Sequence, residues 1–112
     1  MKPLPLTLLL ALAACGGPAA SPSAEAQLFR RELCSSCHGP DAGGTWMGPP
    51  LRGLDAHWDE ASLADFLLDP RPFVRDDPRL QALLEGYPNP MVGNRTLGAE
   101  ERRRLAAWLL QR

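Results

Sequence analysis

Lysine is almost missing from this chain of 112 residues: Lys2 is the only one. The remaining positive charge is all arginine, interspersed with carboxylates, and the formal net charge is −1. That balance leaves no basic stripe for nucleic acid. Beyond Ala14 no apolar run is long enough to cross a bilayer. No internal repeat and no strand-rich pattern is present, which removes the βαβ setting in which a thioredoxin-like dithiol would be expected. Histidine and cysteine are scarce, with two and three copies. The length allows one small domain with a thin core. The 12 prolines and 10 glycines point to long ordered loops around short helices.

What the chain does have is Cys34-Ser35-Ser36-Cys37-His38. Two cysteines two residues apart, followed directly by histidine, form the pattern for covalent c-type haem attachment. Each thiol would add across one haem vinyl group, and the histidine would offer a ring nitrogen to the iron. Ser35 and Ser36 are short enough not to crowd the porphyrin edge. Two other readings fit less well. A redox dithiol lacks its βαβ context. A zinc site needs four ligands, and the candidates are Cys34, Cys37, His38 and His57, of which Cys37 and His38 are sequence neighbours that cannot easily reach one tetrahedral ion. A large covalently held apolar cofactor would also help to fill the thin core.

Ahead of this motif, Lys2 and the apolar residues 4–14 read as an export signal. The stretch Leu12-Ala13-Ala14-Cys15 resembles the lipobox of bacterial lipoproteins. The resemblance implies cleavage before Cys15 and acylation of that cysteine, which accounts for the odd thiol in an exported protein. The alternative is a plain secretory signal with an incidental cysteine. Two or three acyl chains hold a protein at a membrane where one does not. Residues 16–26 are rich in Gly, Pro, Ala and Ser and read as a flexible tether. The expected division is a signal peptide over residues 1–14, a lipidated cysteine and tether over 15–23, and one domain over 24–112.

Within the domain, Ser23 is placed to cap a helix over residues 24–33, with Ala26, Phe29 and Leu33 on one face. Residues 39–53 form a loop with several glycines and prolines. Asp59 caps a second helix through Leu68, with Leu63, Phe66 and Leu67 inward, and Pro70 and Pro72 stop it. Asp77 caps a third helix that has Pro78 at its first position and Gly86 past its end. A fourth runs over residues 99–110, with Leu105, Trp108 and Leu109 on one stripe.

From Ala24 onward the chain resembles a monohaem class I cytochrome c. The matching landmarks are the CxxCH motif after a first helix, Gly48-Pro49-Pro50-Leu51 with Gly53 behind it, Pro88-Asn89-Pro90-Met91, and a last helix carrying Trp108. One feature departs from the family: the aromatic usually found four residues before the first cysteine is replaced by Arg30, and Phe29 stands one position earlier. The resemblance implies an all-α fold, about four short helices wrapped around one covalent haem c. It implies that Cys34 and Cys37 carry the thioethers, that His38 is the proximal ligand with its other ring N–H given to the carbonyl of Pro49, and that Met91 is the sixth ligand. Of the other candidates, Met47 lies two residues before Pro49 in the loop supporting the proximal side, and His57 reads as a surface or structural histidine. Trp46, Arg52 and Trp58 are candidate donors to the haem propionates. Arg102, Arg103 and Arg104 read as a solvated helix face, and Leu105 and Trp108 as core against the first helix.

A six-coordinate His/Met haem has no open site for substrate. The expected function is therefore single-electron transfer between respiratory complexes, by a non-enzymatic carrier tethered at the membrane and facing the periplasm or cell exterior. Its partners would be a redox donor and a redox acceptor, met through a mostly apolar haem edge or through arginines. A fixed haem c subunit of a larger oxidase, reductase or dehydrogenase is the alternative. A ligand sensor or peroxidase-like protein with a labile Met91 is the third reading, and a thiol protein without haem the last.

Overall fold

In the computed structural model, residues 1–3 and 22–112 are described. Cys15, the apolar stretch of the leader and most of the tether lie outside the described residues.

Helix α1, Ala24–Arg31, begins where its cap allows: the Ser23 hydroxyl accepts from the Ala26 N–H at 3.1 Å, satisfying a donor that the first helical turn leaves free. Leu28 and Phe29 are its buried residues. The helix stops two residues short of expectation because Leu33 takes a left-handed conformation at φ 63°. Leu33 is consequently 69% exposed rather than turned inward with Ala26 and Phe29. Phe29 nonetheless reaches the core, and its ring lies 5.5 Å from that of Trp108.

The motif itself is helical: α2 is Cys34–His38. After a loop and a 3-10 turn, Leu54–Ala56, comes α3, Glu60–Leu68, closed at its start by a reciprocal capping box between Asp59 and Ser62. The spacing predicts an end at Pro70 and Pro72. α3 does end before them, but a further short helix, α4, Arg71–Asp76, starts at once. Pro72 sits in its first turn, where a missing N–H costs nothing. Asp77 then caps α5, Pro78–Glu85, by accepting from the Arg79 N–H at 2.8 Å. Gly98 precedes α6, Ala99–Leu109. The described residues thus hold six α-helices where four are predicted, and they contain no strand, only an isolated bridge between Thr45 and Gly48. No helix among them is long and apolar enough to cross a membrane.

α6 packs against both α1 and α3. Phe29, Leu63, Leu67, Leu97, Leu105 and Leu109 form the buried cluster between them, and α6 supplies Leu105 and Leu109 at the i, i+4 spacing of one helix face. Trp58 lies on Phe66 and Phe73 at ring distances of 4.8 and 5.5 Å, so the unforeseen α4 joins this aromatic cluster through Phe73.

Candidate haem site

One side of the core is not closed by protein. A cavity of about 1060 Å³ runs from α2 past the loop after it, α3 and α5 to residues 89–94. Core side chains, Phe29, Leu67, Leu105 and Leu109 among them, form part of its lining. Such a concave, mainly apolar space with a few polar groups is the usual form of a cofactor site.

Cys34, Cys37 and His38 all line this cavity. They do so because one helical turn brings positions i, i+3 and i+4 to the same face. The His38 imidazole is buried, and its Nδ1–H donates to the Pro49 carbonyl at 2.8 Å. A carbonyl can only accept, so the bond fixes the tautomer and leaves the Nε2 lone pair for another partner. The loop that carries Pro49 is itself pinned to α2. Thr45 Oγ1 donates to the Cys37 carbonyl at 2.6 Å, and the Gly44 N–H to that of His38 at 2.7 Å. Gly48 has a physical reason to be glycine: a Cβ there would lie 2.9 Å from the Cys37 oxygen and 3.2 Å from His38 Nδ1.

Two of the competing readings of the motif weaken here. Burial pushes the Cys34 thiol up from its ordinary range, whereas a reactive redox thiol needs the opposite shift. Among the described residues no three His, Cys, Asp or Glu side chains converge as a metal site would require. The donor set instead suits haem: two thiols on one helical turn, an imidazole with a free Nε2, and thioethers in reach of the same cavity.

Met91 lines the cavity and is 37% exposed. Met47 and His57 line it too, so lining alone does not choose among the three. Of the expected propionate donors, Arg52 and Trp58 border the cavity, but Trp46 is 75% exposed and does not. The solvated face expected of α6 holds for Arg103, which pairs with Glu60 at 3.3 Å, and for the exposed Arg104, but not for Arg102. Arg102 lines the cavity and donates to the Leu97 carbonyl at 2.6 Å, while its Nε is buried without a hydrogen-bond partner. A buried guanidinium N–H without an acceptor is costly, and an anionic group on a cavity ligand would supply one.

The segment that follows Met91 is held at several points that the sequence does not announce. The Asn94 N–H donates to the Leu67 carbonyl at 2.7 Å. The Asn94 side-chain amide and the Thr96 hydroxyl both donate to Glu32 Oε2, at 3.0 and 2.5 Å. Asn94 Oδ1 in turn accepts from the N–H groups of Thr96 and Leu97, each at 3.0 Å. Hydrogen bonds from Thr96 and then Asn94 hold the Glu32 carboxyl below its usual range, against the opposing effect of desolvation. The one local signal for this arrangement is an asparagine shortly before a helix, where its side chain commonly bonds backbone two or three residues on. Gly93 presses against the end of α3, and a Cβ there would meet the Leu68 carbonyl inside contact distance. Gly93→Ala should therefore destabilise the protein by about 2 kcal/mol, the usual cost of overpacking, read as a lower denaturant midpoint. Gly86→Ala, whose nearest neighbour would be 3.5 Å away, should leave that midpoint close to wild type.

Comparison with known proteins bears on the same stretch of chain. A family model described as Cytochrome c matches residues 25–112. Comparisons with curated proteins and with solved structures returned no significant match. The strand-free helical fold of the described residues agrees with that family, whose members bind covalent haem c and use it for electron transfer. The matched stretch includes the CxxCH turn, the cavity lining and all six helices but for the first residue of α1, and this chain belongs to the cytochrome c family.

Proposed function

We propose that this cytochrome c is a membrane-tethered carrier that passes single electrons between a donor and an acceptor of a respiratory chain, through one haem c with His38 and Met91 as axial ligands. The observation that carries the reading is the His38–Pro49 bond, which frees Nε2 toward a cavity that Met91 also lines. Bound haem c would supply a one-electron iron couple. The chain's own part is to hold and tune it. Cys34 and Cys37 would anchor it as thioethers. The Pro49 carbonyl raises the basicity of His38, Met91 as a soft donor favours the reduced iron, and the apolar lining limits water.

The docking face is better read as apolar than as arginine-based. Leu33, Leu83 and Val92 are exposed on residues that border the cavity. Three of the arginines that line the cavity are ion-paired: Arg71 with Asp69 at 2.9 Å, Arg79 with Asp77 at 3.5 Å, and Arg75 with Asp76 at 2.8 Å. The tether rests on the lipobox-like Leu12-Ala13-Ala14-Cys15, and it would confine the carrier near its partners while letting it swing.

The test is the full-length protein made in a host with a haem-attachment system. The reduced protein should exclude carbon monoxide and fractionate with membranes. Cys15→Ser should abolish lipoprotein processing, leaving an unprocessed precursor or a form cleaved elsewhere. Ready binding of carbon monoxide would replace the carrier with a sensor or catalyst. A soluble wild type with unmodified Cys15 would remove the anchor alone. Isolation only within a stable enzyme complex would make the protein a fixed haem subunit.

A further inference from the structure

Glu32 lies two residues before Cys34, and Asn94 three residues after Met91. The two are 62 positions apart in the chain, yet Glu32 Oε2 accepts from both Asn94 Nδ2 and Thr96 Oγ1. The other oxygen, Oε1, faces Arg31 Nε at 3.4 Å, and the Glu32 side chain is only 14% exposed. Among the described residues Glu32 is the single carboxylate in the cavity lining. Its bonds join the stretch proposed to hold haem covalently to the stretch proposed to supply the sixth ligand.

We propose that Glu32 is a positioning residue that latches the Met91 segment to the first-cysteine segment and so sets how readily the Met91 sulfur leaves the iron. This rests on Met91 being the ligand. The residues between α5 and α6 belong to no helix, so within the segment its prolines and the bonds that Asn94 Oδ1 accepts from Thr96 and Leu97 are what stiffen it. Its far end is fixed by the Asn94–Leu67 backbone bond and by the latch. Bonds to an ionised acceptor are the stronger kind. With Asn94 held, the chain back to Met91 spans at most roughly 10 Å, and the thioether has little room to swing away. With the latch broken, one backbone bond remains and the open state gains population.

The experiment measures displacement of the sulfur by imidazole in the oxidised holoprotein, followed at the sulfur-to-iron charge-transfer band. Glu32→Ala removes the acceptor. Asn94→Asp keeps Oδ oxygens for the N–H groups of Thr96 and Leu97 but sets a like charge against Glu32. Each should speed displacement roughly tenfold or more, as loss of charge-assisted bonds implies. Ser23→Ala, which weakens the fold through the N-terminal cap of α1, at the other end of that helix from Glu32 and outside the cavity lining, should leave the rate unchanged, and this separates positioning from general destabilisation. The swapped pair Glu32→Gln with Asn94→Asp, which again sets an amide against a carboxylate, should return the rate toward wild type. If Glu32→Ala does not accumulate, Thr96→Val removes one donor at nearly constant shape and should give a smaller acceleration. Latch variants that react at the wild-type rate, while Met91→Ala loses the band and binds imidazole at once, would overturn the latch and keep the ligand. A Met91→Ala protein that retains the band would overturn the ligand, and the latch with it.

Discussion

The double variant Cys34→Ser, Cys37→Ser should emerge without covalent haem and without a cooperative unfolding transition. Both parts follow from how the core is built. Phe29, Leu67, Leu105 and Leu109 belong to the buried cluster and also line the cavity, so the bound group and the core share one surface. Each large apolar side chain contributes about 1.5–3 kcal/mol when fully buried. A domain of this size holds only about 5–15 kcal/mol in all. Returning even three or four such side chains to water therefore consumes most of the stability. Without thioethers, only reversible contacts, axial bonds and apolar burial against the cavity lining, would keep the group in place, and it would be lost on dilution. The measurements are acid-acetone extraction, which should leave haem with the denatured wild-type chain and none with the variant, and thermal unfolding followed by circular dichroism. A variant that keeps acid-stable haem would show that the two thiols are not the attachment, and one that melts as sharply as wild type would show that the core does not depend on the bound group.

Much of this arrangement is legible before any coordinates, and what is legible is local. Ser23, Asp59 and Asp77 cap their helices as their positions suggest, because a cap bonds within three residues of itself. The CxxCH turn is readable for the same reason. The Pro49 carbonyl is pointed to only by the family resemblance, and His38 Nδ1 lies 2.8 Å from it. The misses come from two sources. Proline has opposite meanings at the two ends of a helix, so Pro72 reads as a stop although it opens α4. Side chains that act at a distance in sequence leave no local mark. Glu32 with Asn94 and Thr96, and Arg102 with Leu97 at the cavity, are of this kind. Leu33 lies between: its helical spacing is right for the core, but its left-handed backbone turns it outward.

Met91→Ala should abolish the sulfur-to-iron charge-transfer band of the oxidised protein, lower the reduction potential and open the reduced iron to carbon monoxide. Three residues on the cavity lining compete for the sixth position, Met47, His57 and Met91, and their attachments separate them. Met47 donates its backbone N–H to Thr45 Oγ1 at 3.0 Å, and that hydroxyl donates to the Cys37 carbonyl. Met47 is thus tied to α2 and to the loop that orients His38. His57 ends the 3-10 turn, with its N–H committed to the Leu54 carbonyl at 3.0 Å, and is exposed. Met91 belongs to a separate stretch fixed to α3 and to Glu32. Exchange of a thioether for water or a harder ligand removes the preference for reduced iron. The expected drop is on the order of 0.1 V or more, within the ~0.8 V that axial ligands command. Met47→Ala and His57→Ala should keep the band, the potential and the closed iron. A band lost in either of those variants and kept in Met91→Ala would move the sixth ligand to that residue.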